Sequence, residues 1–154
     1  MSNLVEIVRR ARYILSILPP SSAATFAQEI RERLDKLPAS NGTDSKNDSK
    51  TGDRPPGSPL IFADCNAVSP ETVQQIATYF TEDTFVDGSI IGGPPSEPGI
   101  TPPYDPTFYV SGKADIVKDF AELLTKGGLK VGVLPAKIGE ASALKMGYAV
   151  RIFC

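Results

Sequence analysis

Short β-rich runs alternate with amphipathic helical stretches along this chain, and that alternation narrows the folds open to it. From Arg12 to Leu18 the run RYILSIL is apolar and β-rich, and the Pro-Pro-Ser-Ser that follows offers caps for a helix. Ala23, Ala27, Ile30 and Leu34 recur at helical spacing, which predicts an amphipathic helix from about Ser22 to Leu37. A strand is predicted over Leu60 to Ala63. The clearest helix follows, with Ser69 as N-cap, Pro70 at the first helical position and Val73, Ile76, Ala77 and Phe80 on one face. The segment TFVDGSIIGGPP is a strand ending in Gly and Pro, and Thr107 to Val110 is another. A helix with Ile116, Val117, Phe120, Ala121 and Leu124 on one side comes next, then a strand from Leu129 to Leu134 and a small-residue helix starting near Gly139. Strands and helices alternating at these lengths predict an α/β layer with a mostly parallel sheet.

The 154 residues suffice for one ordinary domain, and 41% apolar with 22% charged residues suits a soluble core-forming chain. Residues 39–58 are the exception, because ASNGTDSKNDSKTGDRPPGS holds no large apolar side chain to offset its ordering entropy. It is expected to be a disordered surface insertion. A net charge of -2 supplies no basic surface for nucleic acid. The apolar stretch Tyr13 to Leu18 is too short for a membrane span and is closed by Pro19 and Pro20, so the expectation is a cytoplasmic protein with neither nucleic-acid nor membrane partners. No histidine occurs, which removes Ser-His and Cys-His pairs and His-based metal sites. Cys65 and Cys154 form no C-x-x-C pair. Proton transfer must then use Lys, Asp, Glu, Tyr or Cys, in a protein expected to bind no metal.

A dinucleotide site needs a glycine-rich turn where pyrophosphate meets a helix N-terminus, and no G-x-G-x-x-G occurs here. Gly112-Lys113 lacks both the preceding glycine and the following hydroxyl of a phosphate loop. What is informative is the order ILSILPPSSA, FADCNAVSPETV, FVDGSIIGGPP, PTFYVSG and IGEASALKMGYA. This succession resembles the β-hydroxyacid dehydrogenase and 6-phosphogluconate dehydrogenase superfamily from about Ala11 to Ala149. The resemblance implies an incomplete Rossmann-like domain over residues 1–136 and, over 137–154, the start of a C-terminal interdomain helix, with the chain cut short at both ends.

It also implies roles for particular residues. The family strand ending in Leu-Pro lies beside the cofactor ribose, a place that Leu18, Pro19 and Pro20 would inherit; a strand-to-helix turn accounts for the two prolines equally well. The family's D-x-S-T-x-S-P turn, which approaches the nicotinamide, reads here Asp64-Cys65-Asn66-Ala67-Val68-Ser69-Pro70. Asn66 can still supply side-chain hydrogen bonds, Ala67 cannot, and Ser69 reads as a helix cap. The carboxylate-holding D-x-P-V-S-G-G becomes Asp87-Gly88-Ser89-Ile90-Ile91-Gly92-Gly93, with Ile91 in the serine's place. Gly92 and Gly93 would keep the backbone open to a substrate anion, or serve turn geometry alone. The catalytic lysine of the family sits six residues after a glycine, and Gly139 to Lys145 repeats that spacing. Lys145 lies among small and apolar residues, which suits either a snorkelling surface side chain or a desolvated amine fit for proton transfer. The family's asparagine one turn later is Ala149 here.

The activity this implies is hydride transfer between NADP or NAD and a small hydroxy acid, as a fragment of an oxidoreductase that forms a homo-oligomer or pairs with a full-length relative. The rival is a truncated, non-catalytic paralogue acting as a binding or interaction module.

Overall fold

The computed structural model describes residues 4–37, 54, 58–97, 105–134 and 137–153. Ten elements follow one another: α1 (Leu4–Arg10), β1 (Tyr13–Ser16), α2 (Pro20–Asp35), β2 (Ile61–Asp64), α3 (Pro70–Ala77), β3 (Phe85–Ile91), β4 (Thr107–Gly112), α4 (Ala114–Lys126), β5 (Lys130–Val133) and α5 (Glu140–Phe153). The strands form a single sheet in sequence order, β1-β2-β3-β4-β5. β1, β2 and β3 run parallel, β4 is antiparallel to β3, and β5 is parallel to β4. The expected α/β layer with a mostly parallel sheet is what the chain builds.

The strands lie within one to two residues of their expected bounds, and the two helices that differ from expectation, α2 and α1, do so for simple reasons. α2 begins at Pro20, two residues before the predicted start, because a proline in the first turn gives up an N–H that has no helical partner anyway. α1 escapes periodicity altogether, since only Val8 of its seven residues is buried. The polar stretch 39–58 falls outside the described residues except for Arg54 and Ser58. Arg54 is held in place: its amide donates to Arg10 O at 2.7 Å, and its guanidinium donates to Val8 O at 3.3 Å and Arg9 O at 3.1 Å. Those carbonyls end α1 and have no helical donors of their own.

The sheet separates two apolar clusters. On one face Phe62 and Phe85 meet α1, α2 and α3 through Val8, Ala27, Ile30 and Val73; on the other Ala63 and Val86 meet α4 through Val117 and Phe120. Every residue of β2 is buried, the pattern of a strand covered on both sides. Side chains alternate along a strand, so Asp64 shares the face of Phe62 and Asp87 the face of Phe85. That face therefore turns from aromatic to polar within one strand step. Register completes the pattern: Ser16 is opposite Asp64, Asp64 opposite Asp87, and Asp87 opposite Ser111. All four are buried. α5 lies against β3 and β4. No helix among the described residues is long and apolar enough to cross a membrane.

Candidate functional site

The C-terminal end of β2 leads into a turn fixed by its own side chains. Asp64 Oδ1 accepts from the Asn66 amide at 3.0 Å and from Asn66 Nδ2 at 2.5 Å. Asn66 Nδ2 also donates to Ser16 Oγ at 2.9 Å, and Asn66 Oδ1 accepts from the Leu18 amide at 2.5 Å. Asn66 thus braces the end of β1 against the end of β2. Its donors and acceptor are turned inward, so it shapes the turn and the Leu18 backbone from beneath. Ser69 caps α3 as expected, accepting from Thr72 N at 3.2 Å.

Asp64 is a strained tenant of this turn. Burial raises its pKa above the ordinary carboxylate range; the Asn66 hydrogen bonds oppose the shift, and the neighbouring Asp87 charge adds to it. Among the described residues, Asp64 Oδ2 and Ser89 Oγ are buried without a protein hydrogen-bond partner. Cys65 follows Asp64 in the chain but turns its side chain to the other face of the sheet, into the cluster with Ala63 and Val86. Burial pushes its thiol well up, the charges of Asp64 and Asp87 push the same way, and Lys145 pulls against them. A thiol held protonated in this way is no nucleophile or base, which removes Cys65 from the proton-transfer groups.

The second part of the site joins the sheet to α5. Asp87 Oδ2 accepts from Ser111 Oγ at 3.0 Å, from Gly139 N at 2.9 Å and from Ser142 N at 3.1 Å, while Oδ1 accepts from Ser142 Oγ at 2.7 Å. Ser111 Oγ in turn accepts from Ala141 N at 3.1 Å. Gly139 turns the chain into this arrangement with a φ of 104°, a left-handed conformation that favours glycine. No local pattern announces this joint; its one sign in the sequence is a carboxylate at a core-facing position of a strand, which needs partners when buried.

Lys145 emerges one helical turn beyond Ser142. It is half-buried, and its Nζ donates to Ile90 O at 3.1 Å. Ile90 stands two residues before Gly92, so the lysine and the Gly92-Gly93 turn share the C-terminal end of β3. Gly92 has a φ of 125°, while beside Gly93 there is open space where a Cβ would project. Turn geometry favours glycine at position 92, whereas at position 93 a side chain would meet no neighbour. Leu18, Pro19 and Pro20 are exposed where β1 hands over to α2, tied to the site through Asn66. Among the described residues no hydrogen bond links them to Lys145. Ala149, half-buried on α5, offers no polar group.

Known proteins bear on this arrangement. No family model matches the sequence. A conserved protein of unknown function, whose structure shows similarity with 3-hydroxyacid dehydrogenases, superposes with a TM-score of 0.61 at 22% identity over 95% of this chain and 43% of its own. The imine reductase from Myxococcus stipitatus, solved with NADP+, gives 0.66 at 14% identity over 99% of this chain and 45% of its own. The fold is the Rossmann-like α/β one of these solved structures. In sequence, 87 residues are 39% identical to an uncharacterized 28.5 kDa protein of Methanothermus fervidus, covering 56% of this chain and 30% of that protein. The chain therefore spans under half the length of each of these three proteins.

Proposed function

We propose that this chain supplies the lysine-bearing half of an NAD(P)-dependent oxidoreductase of the 6-phosphogluconate or 3-hydroxyacid dehydrogenase type, with Lys145 as the proton-transfer group. The observation that carries the reading is the position of Lys145 Nζ, 3.1 Å from Ile90 O at the C-terminal end of a strand whose next turn is Gly92-Gly93. In open α/β sheets that end is where ligands bind. The buried carboxylates and serines nearby give the site a polar floor.

The residues present fit one end of a dinucleotide. Leu18, Pro19 and Pro20 form an exposed edge backed by Asn66, suited to a ribose and its neighbouring ring, whereas the sequence holds no G-x-G-x-x-G turn for the pyrophosphate. When bound, NADP or NAD would accept or return the hydride. Lys145 would hold the proton of the substrate hydroxyl, leaving Ile90 O to do so, and the amides around Gly92-Gly93 would orient a small hydroxy acid by its carboxylate. Ile91 and Ala149 each remove one polar partner relative to the family pattern, which favours a substrate different from a simple 3-hydroxy acid.

Turnover in a version completed with a G-x-G-x-x-G segment and a helical domain tests this. Lys145→Ala should lower turnover by about a hundredfold or more with cofactor affinity nearly unchanged. Lys145→Arg should be almost as damaging, because arginine keeps the charge but does not release its proton near neutral pH. Retention of turnover within about twofold in both variants refutes the role. The 154-residue chain alone should not bind NADP in the low micromolar range, about -8 kcal/mol, for want of the pyrophosphate turn.

A second reading, a non-catalytic module that pairs with itself or with a full-length relative, draws on the exposed Leu15 of β1, Ile17 and Leu18 just after it, and Leu144, Tyr148 and Val150 on α5. A stable dimer of the chain in sedimentation, together with unchanged turnover in both Lys145 variants, would favour it.

A further inference from the structure

We propose that Asp87 is the positioning residue of this site: from the sheet it caps the start of α5 and thereby sets where Lys145 stands. The inference rests on the reading of Lys145 as the working group.

The first turn of any α-helix leaves its N–H groups without helical acceptors, and here each one can be followed. Gly139 N and Ser142 N donate to Asp87, and Ala141 N to Ser111 Oγ, itself bonded to Asp87. Glu140 N donates to Lys137 O at 3.3 Å and Ala143 N to Gly139 O at 2.9 Å. Three of these five amides are thus satisfied by side chains of β3 and β4 and none by a cap on the helix itself. A carboxylate is the right group for the place. It accepts only, it serves several donors at once, and its charge complements the positive end of the helix.

The consequence for Lys145 is geometric. Ser142 is pinned to Asp87 through both its amide and its hydroxyl, and Lys145 follows one turn later on the same face of α5. Along β3 three residues also separate Asp87 from Ile90, a longer rise than three residues of helix, and the lysine side chain spans the difference to donate to the Ile90 carbonyl. α5 is therefore fastened to β3 at two levels, and the lower fixes the upper. Asparagine at position 87 keeps one acceptor oxygen for Ser111 Oγ, Gly139 N and Ser142 N, and its NH2 can donate to the Ser142 hydroxyl, but the negative charge is gone and each charge-assisted bond becomes a weaker neutral one.

The test is competitive acylation of the 154-residue chain with acetic anhydride, scored lysine by lysine by mass spectrometry across a pH series, with amide exchange measured in parallel. In Asp87→Asn, exchange at Gly139 and Ser142 should quicken by about tenfold or more. Lys145 acylation should rise by about threefold or more, with a displaced pH profile, while Lys118 and Lys126 on α4 stay as they were. Val117→Ala supplies the control, since it weakens the core on the opposite face of the sheet and should leave the Lys145 profile in place. An unmoved Lys145 profile in Asp87→Asn despite faster exchange overturns the proposal, as does an equal displacement in Val117→Ala. Should Asp87→Asn fail to fold, Ser142→Ala and Ser111→Ala each remove a single hydroxyl and should displace the profile less but in the same sense; no displacement in either also overturns it. If Asp87→Asn moves Lys145 but Lys145→Ala keeps full turnover, the positioning stands and the functional reading of the lysine falls.

Discussion

Truncating Phe62 to alanine is the sharpest probe of the core that carries the site. The Phe62 ring is fully buried at the middle of β2, stacked on Phe80 at a centroid separation of 4.7 Å, with Phe85 at 6.2 Å and Phe26 at 6.3 Å. Removing a buried phenylalanine ordinarily costs about 3–5 kcal/mol in transfer and cavity terms. The upper half applies here, because α1, α2 and α3 all lean on this cluster and cannot close the gap together. Against a total of roughly 5–15 kcal/mol, that is a large share. With a urea dependence of about 2 kcal/mol per molar, the midpoint should fall by about 2 M. Phe62→Leu, which keeps most of the volume but loses the ring stacking, should cost only about 1 kcal/mol. The chain has no tryptophan, so far-ultraviolet circular dichroism is the suitable signal, with tyrosine emission as the check on two-state behaviour. Equal costs for Ala and Leu, or a cost for Ala below about 1.5 kcal/mol, would refute the packing argument.

Other expectations follow from single groups. A carboxyl whose folded pKa lies above its unfolded one contributes stability that is fully present below the unfolded value and lost as pH rises through the folded one. Asp64, raised chiefly by burial, should therefore erode stability between mild acid and neutrality, and Asp64→Asn should gain thermal midpoint over the parent at about pH 7 but not at about pH 4. An offset independent of pH would count against it. Ser69→Ala should lose about 1 kcal/mol in urea titration, the usual worth of such a cap, and a change near zero would show the Thr72 amide satisfied otherwise. Cys65 should resist maleimide in the folded protein and react on unfolding, as peptide mapping can show; ready labelling under native conditions would contradict its burial.

Much of the architecture was legible because periodicity and caps act locally. Ser69-Pro70 announces α3, and the apolar stripe from Ile116 to Leu124 announces α4. The Gly139-to-Lys145 spacing also has a local cause, since Gly139 supplies the turn at which α5 starts. Strand direction is different in kind: nothing within Thr107–Gly112 says that it runs against β3. The usable sign lay between them, in a proline-rich link with no helical pattern to carry a parallel crossover. The Asp87 joint was illegible for another reason. Its partners Ser111, Gly139 and Ser142 lie 24 to 55 residues away, and no pattern within β3 records them. Asn66 shows a third limit, because its residue type allows hydrogen bonds inward or outward and only packing decides between them.

The reversal at β4 has a directional consequence. A strand continuing the sense of β1–β3 would deliver the chain to the end of the sheet where the Gly92-Gly93 turn lies, and the next helix would have to descend away from it. Because β4 and β5 run the other way, the chain leaves the sheet at the opposite level, beside Val110, where Leu134 N donates to Val110 O at 2.9 Å. α5 then starts beside Asp87 and climbs with β3, reaching Ile90 by Lys145. The reversed strands β4 and β5 thus work as a return path. They bring a residue from the last helix, more than fifty positions downstream of Ile90, to the end of the sheet where the first three strands finish.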